Sequence, residues 1–159
     1  TNANKASNNA TTTNTTNTSN PQTNANSVKL SVEGLEIKNT NAYSSEKPIP
    51  IDEKIPDGLV FKVQIGAFKT PLPNNTFKGI SPILAQRTPS GYIRYMAGSF
   101  EKYVSANAVK NDLRSLGYSD AFVVAYYNGV RITLNEATEK AKANGQTISS
   151  VAELIQSLP

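Results

Sequence analysis

Cysteine, histidine and tryptophan are absent from the chain, and there is a single methionine. Without cysteine there is no disulfide framework and no thiolate metal site. Without histidine, the commonest general base and the commonest metal ligand are both missing. A hydrolase would have to work through Ser/Lys or paired carboxylates. Between residues 58 and 131 the only acidic residues are Glu101, Asp112 and Asp120, and the last two suit helix and turn chemistry. We therefore expect no enzyme, no catalytic residue, no metal and no cofactor. No apolar run approaches the ~20 residues that cross a bilayer as a helix, so no membrane span is expected in this chain. Neither an initiator methionine nor a signal peptide opens the sequence, as expected of a mature chain or a piece of a longer one.

Large apolar side chains are scarce before residue 58, and the first 27 residues are almost entirely Thr, Asn, Ala and Ser. Such a segment buries too little apolar surface to offset the entropy of ordering it. The expected organisation is a disordered Thr/Asn-rich linker over 1–57, a folded domain over 58–134 and a helical C-terminal extension over 135–159. That leaves about 100 residues for one small core. Charge is also uneven. Residues 58–131 carry nine Lys/Arg against three Asp/Glu, or +6, within a chain whose net charge is +4. A basic domain of this kind favours an anionic or polyhydroxylic partner.

Within the linker, Val28, Leu30, Val32, Leu35 and Ile37 alternate. They fit either a short strand docked on a sheet edge or an extended patch that orders with a partner. The segment 48–56, PIPIDEKIP, should be extended and poorly paired. Leu59–Gly66 alternates with period two, placing Phe61, Val63 and Ile65 on one face and Lys62 and Gln64 on the other. After Phe68, Pro71, Pro73 and Pro82 leave room for at most a short helix around 75–80. Ile83–Arg87 and Tyr92–Ala97 read as a hairpin about Pro89-Ser90-Gly91. Ala106, Val109, Leu113 and Leu116 recur at helical spacing behind Ser105 as N-cap, with Gly117 placed to end the helix. Ala121–Tyr127 is a further strand. Asn128-Gly129 predicts a type I′ turn into a short strand over 130–134. Thr133-x-x-Glu136 is a capping box for a helix over 134–143, and Ser150-x-x-Glu153 is placed to cap a last one.

Two strand endings share a pattern, Val63-Gln64-Ile65-Gly66-Ala67-Phe68 and Tyr95-Met96-Ala97-Gly98-Ser99-Phe100, with glycines 32 residues apart. Packing alone accounts for much of it, since Gly permits close approach and Phe plugs a core. These endings, the S-A-N-A helix start and Gly117-Tyr118-Ser119-Asp120-Ala121-Phe122-Val123-Val124 resemble a SPOR (sporulation-related repeat) domain over about 58–131. With its AFVVAYYNG ending, the sequence is similar to SPOR modules in envelope proteins of Bacteroidetes-type bacteria.

The resemblance implies an α+β, RNP-like fold: a four-stranded antiparallel sheet with two helices on one face, the first helix short. It implies a non-catalytic, periplasmic or envelope module that binds peptidoglycan, preferring glycan strands stripped of stem peptides, on the opposite sheet face. Gln64 matches the family's recurrent strand-one glutamine. By parity the presented face should carry Lys62, Gln64, Tyr92, Arg94 and Met96, with Ser99 at a strand end. A Gln amide suits a sugar N-acetyl or hydroxyl group, and Arg94 and Lys62 suit the lactyl carboxylate of muramic acid. Tyr126 or Tyr127 is a candidate stacking platform. The proline-rich stretch 71–82 departs from the family, whose members carry a fuller helix there. Two alternatives share these features: a protein–protein adaptor of an envelope complex, and an RRM-like nucleic-acid binder. The latter lacks the Lys/Arg-Gly-Phe/Tyr-Gly/Ala-Phe run of that class.

Overall fold

A computed structural model of the chain describes residues 28–144. Residues 1–27 of the expected 1–57 linker and the expected last helix near residue 150 lie outside the described residues. The central element is the strand β3 (Leu59–Phe68). Its alternation survives in the structure: Phe61, Val63 and Ile65 join the main core, whereas Val60 joins a second apolar cluster on the other face. The remaining strands are β1 (Val28–Val32), β2 (Leu35–Lys38), β4 (Ile80–Ser81), β5 (Ile83–Arg87), β6 (Ile93–Phe100), β7 (Phe122–Tyr127) and β8 (Val130–Ile132). Two helices complete the fold, α1 (Tyr103–Ser115) and α2 (Leu134–Ala143).

These strands form two antiparallel sheets, β1-β2-β4 and β5-β6-β3-β7-β8. The expected four-stranded RNP-like sheet with two helices on one face is therefore not the architecture. A curled five-stranded sheet stands beside a second, three-stranded one, and no described helix lies between β3 and β5. The physical reason lies in residues 69–79. Their prolines forbid a continuous helix, and a series of turns carries Phe77 into the core instead. Phe77 packs on Tyr95 at 5.1 Å and on Tyr118 at 6.2 Å between ring centroids. The Tyr95 hydroxyl accepts a hydrogen bond from the Leu72 N–H (2.8 Å), so the turn backbone is tied to the same ring.

The folded region begins before residue 58. Leu35, Ile37, Tyr43 and Ile49 are buried in the main core. The Tyr43 hydroxyl accepts from the Ile83 N–H (2.7 Å), and the Ser99 N–H donates to the Gly34 carbonyl (3.0 Å). Residues 28–38 form a hairpin whose second strand pairs with β4, the docked-strand option of the two left open by the alternation. The proline-rich segment then runs beside β5 and forms a parallel bridge from Ile51 to Ala85. It crosses the helix-free face of the large sheet to reach Gly58, burying Ile55 on the way.

The helix α1 starts earlier than its polar N-cap signal implied. Lys102 is the N-cap and makes no side-chain cap bond, and Ser105 lies inside the first turn. The earlier start buries Tyr103, whose ring meets Phe61 edge-on at 5.9 Å. Its end is as expected: the Tyr118 N–H bonds the Leu113 carbonyl and the Gly117 N–H bonds that of Arg114, with Gly117 at positive φ. That is a Schellman ending. Asn128 and Gly129 both have positive φ, as a type I′ turn requires. The capping box at Thr133 is complete in both directions. Both helices pack on the face of Val63 and Ala125, leaving the other face of the sheet free of helix among the described residues.

Candidate functional site: the helix-free sheet face

The strand parities place Val60, Lys62 and Gln64 from β3, Arg94 and Met96 from β6, and Val124 and Tyr126 from β7 on the helix-free face. Leu84 and Gln86 of β5 and Arg131 of β8 join them by register. Half of this face is a second core. Ile55 from the crossing segment packs with Val60, Met96, Val124 and Tyr126. The other half is polar and open.

The expected site residues separate accordingly. Lys62 points to the expected face but is 5% exposed, and its ammonium donates to the Gly98 carbonyl at 3.0 Å. Burial lowers its pKa from the ordinary lysine value. The carbonyl is available because Gly98 and Ser99 together stand opposite Lys62 in a β-bulge. Met96 is fully buried in the second core, and so is Tyr126, which removes it as a stacking platform. Tyr127 carries the Lys140 ammonium over its ring at 4.3 Å. Tyr92 is exposed at the β5–β6 turn, where Lys69 stands 5.8 Å from its ring centroid. Ser99 is half-buried and lines a cleft of ≈ 390 Å³ with Glu33, Asp57 and Glu101. That acidic cleft is a different surface from the basic one.

Gln64 and Arg94 remain half-exposed on the open part of the face. The structure adds Arg131, Gln86 and Phe122, which sequence reading missed. Arg131 donates from Nη1 to Oε1 of Gln64 at 3.1 Å, linking β8 to the central strand. The Tyr126 hydroxyl lies at 2.9 Å from Oε1 of Gln86 and 3.1 Å from the Met96 sulfur. Burial raises the Tyr126 pKa, and the guanidinium groups of Arg94 and Arg131 partly offset this. The Arg131 pKa is lowered, first by burial; Tyr126 works against that shift and Arg94 adds to it. Phe122, paired with Gln64 in the β3–β7 ladder, is 41% exposed. Arg131 was legible in principle. A two-residue turn at Asn128-Gly129 sets it opposite Tyr126, hence on the same face.

The face so assembled has donors from Arg94, Arg131 and two glutamines, with one exposed aromatic ring beside them. Among the described residues there is no group of His, Cys, Asp or Glu able to hold a metal ion, and no helix is long and apolar enough to cross a membrane. No protein-family model matches the chain, and neither does any curated protein or solved structure.

Proposed function

We propose that the chain is a non-catalytic module that binds peptidoglycan glycan strands on the helix-free sheet face. It would hold a larger protein of the bacterial envelope to the cell wall. The observation that carries this function is the placement of Gln64: central in the open half of the face, between two arginines and beside exposed Phe122. A pyranose offers CH groups to an aromatic ring face and hydroxyl or N-acetyl groups to amide donors, and this surface supplies both. The paired strand endings VQIGAF and YMAGSF support the ligand class through their resemblance to SPOR modules. The four-stranded architecture that accompanies that resemblance does not apply here.

Co-sedimentation with purified sacculi, before and after amidase treatment, tests this function. Retention is expected in both, and to be stronger once stem peptides are removed. Gln64→Ala is expected to weaken retention about fivefold, the worth of one hydrogen bond of ~1 kcal/mol. No retention by either preparation, with Gln64→Ala indistinguishable from wild type, would contradict it.

A further inference from the structure

We propose that Arg94, Arg131 and the amide groups of Gln64 and Gln86 form an oxyanion site, and that on a glycan strand it takes the free carboxylate of the muramic-acid lactyl ether. The source of that carboxylate rests on the glycan-binding function above; the oxyanion site does not.

Arginine can only donate, so the Arg131 bond at 3.1 Å fixes the Gln64 carbonyl toward it and turns the Gln64 NH2 away. The Tyr126 hydroxyl faces Arg131, which cannot accept, and donates to the Gln86 carbonyl at 2.9 Å with the Met96 sulfur beside it at 3.1 Å. The Gln86 carbonyl is thus the acceptor and its NH2 is free. Among the described residues no acceptor meets either NH2 group. The Arg94 Nε–H is buried and has no hydrogen-bond partner. Neither Arg94 nor Arg131 pairs with a carboxylate among the described residues. The nearby Asp52 is taken by Arg87 at 2.7 Å, on the outer edge of β5.

Every outward-facing polar group of the patch is therefore a donor, and two like charges share one sheet face with no counter-ion among the described residues. An oxyanion relieves that repulsion and accepts from all four groups, and planar guanidinium groups match carboxylate geometry. Lys62 takes no part, since its ammonium is buried on Gly98. Linking a stem peptide to the lactyl group turns the carboxylate into an amide and removes its charge. The site then has nothing to neutralise it, which gives preference for bare strands a physical cause at two named residues.

The test titrates the full chain with four probes: a denuded glycan fragment, the same fragment with its carboxylates reduced to alcohols, acetate and inorganic phosphate. The readouts are affinity and the side-chain Nε–H resonances of Arg94 and Arg131. Reduction of the carboxylates is expected to weaken binding about tenfold or more, as for loss of a charge-assisted contact. Acetate should move both arginine resonances. Arg131→Gln should bring the affinity for unmodified fragment down to that for reduced fragment, and Arg131→Lys should restore part of it. Equal binding of both fragments with still arginine resonances overturns the oxyanion site and leaves glycan binding standing. Arginine shifts with acetate but no binding of either fragment overturn the glycan source and the function it rests on. Phosphate bound more tightly than both acetate and the denuded fragment overturns the assignment to a carboxylate.

Discussion

Glycines 66 and 98 show what the shared strand endings are for. Residues i and i+2 of a strand lie on one face, and the ring of Phe68 folds over Gly66 as that of Phe100 folds over Gly98. A Cβ at Gly66 would stand 2.6 Å from Phe68, and one at Gly98 would meet the Phe100 ring. The Gly and Phe of the pattern are thus a packing device, repeated at two strands. The two copies differ in how much they can give. Phe68 is 39% exposed and can swing aside, whereas Phe100 is 3% exposed and Gly98 has a φ of 73°. Gly98→Ala is expected to cost about 2–4 kcal/mol, from the left-handed backbone and the crowding together. Gly66→Ala should cost about 1 kcal/mol or less, since only an exposed ring moves. Urea midpoints of the two variants check the order.

Lys62 makes a prediction in pH at the same scale. Its pKa in the folded protein is lowered by burial, so between that value and the ordinary 10.5 the unfolded chain binds more protons. The penalty of burying the charge is fully present below the folded pKa and is relieved as pH rises toward 10.5. Wild type should therefore gain stability relative to Lys62→Met between neutral pH and 10.5. Taking the difference cancels the opposing effect of Tyr43, Tyr118 and Tyr126, whose pKa values are raised by burial. Paired urea titrations across that range supply the measurement, and a flat difference would count against the account.

Among the elements, those with local signals behave as their residues dictate. The Schellman ending at Gly117, the type I′ turn at Asn128-Gly129 and the capping box at Thr133 each depend on residues within one turn of one another. Thr133→Ala should cost about 1 kcal/mol, the usual worth of such a cap. Glu136 accepts from the Thr133 backbone and side chain, and this lowers its pKa. Its contribution is present above the ordinary carboxylate range and is lost as pH falls through the lowered value. The stability gap between wild type and Glu136→Gln should accordingly narrow in acid, measured by thermal melts at stepped pH. The start of α1 was not legible because Ser105 carries a strong local N-cap signal, while the contact that decides the start joins Tyr103 to Phe61, 42 residues earlier.

For the whole molecule, the boundary of the fold is the point of largest revision. Composition places residues up to 57 outside the domain, because their apolar side chains are few and far apart. Leu35, Ile37, Tyr43, Ile49 and Ile55 are nonetheless buried, and the backbone around them closes hydrogen bonds that β5 and β6 would otherwise leave open. A fragment spanning 58–144 would expose the Ile83 N–H that Tyr43 satisfies and the second core that Ile55 covers. Such a fragment should lack a cooperative urea transition, whereas one spanning 28–144 should show it. Cooperative unfolding of the shorter piece would contradict this view of the domain. The same crossing segment divides the helix-free face into a covered half and an open half, and so selects which residues a ligand can reach.

Two kinds of property separate here. Alternation along β3, the turn at Asn128-Gly129, the end of α1 and the cap of α2 were determined by sequence alone, because steric and hydrogen-bonding preferences over a few residues suffice to set them. The face on which Lys62, Gln64, Arg94 and Met96 lie was also legible, since a strand has only two. Which of those four meet solvent was decided by tertiary structure alone. Accessibility depends on what crosses the face: Ile55 shares the covered half with Met96, and a bulge at Gly98 and Ser99 supplies the carbonyl that holds Lys62 inside. The partner that replaces Lys62 beside Gln64 is Arg131, 67 residues along the chain, and only closure of the five-stranded sheet brings the two within 3.1 Å.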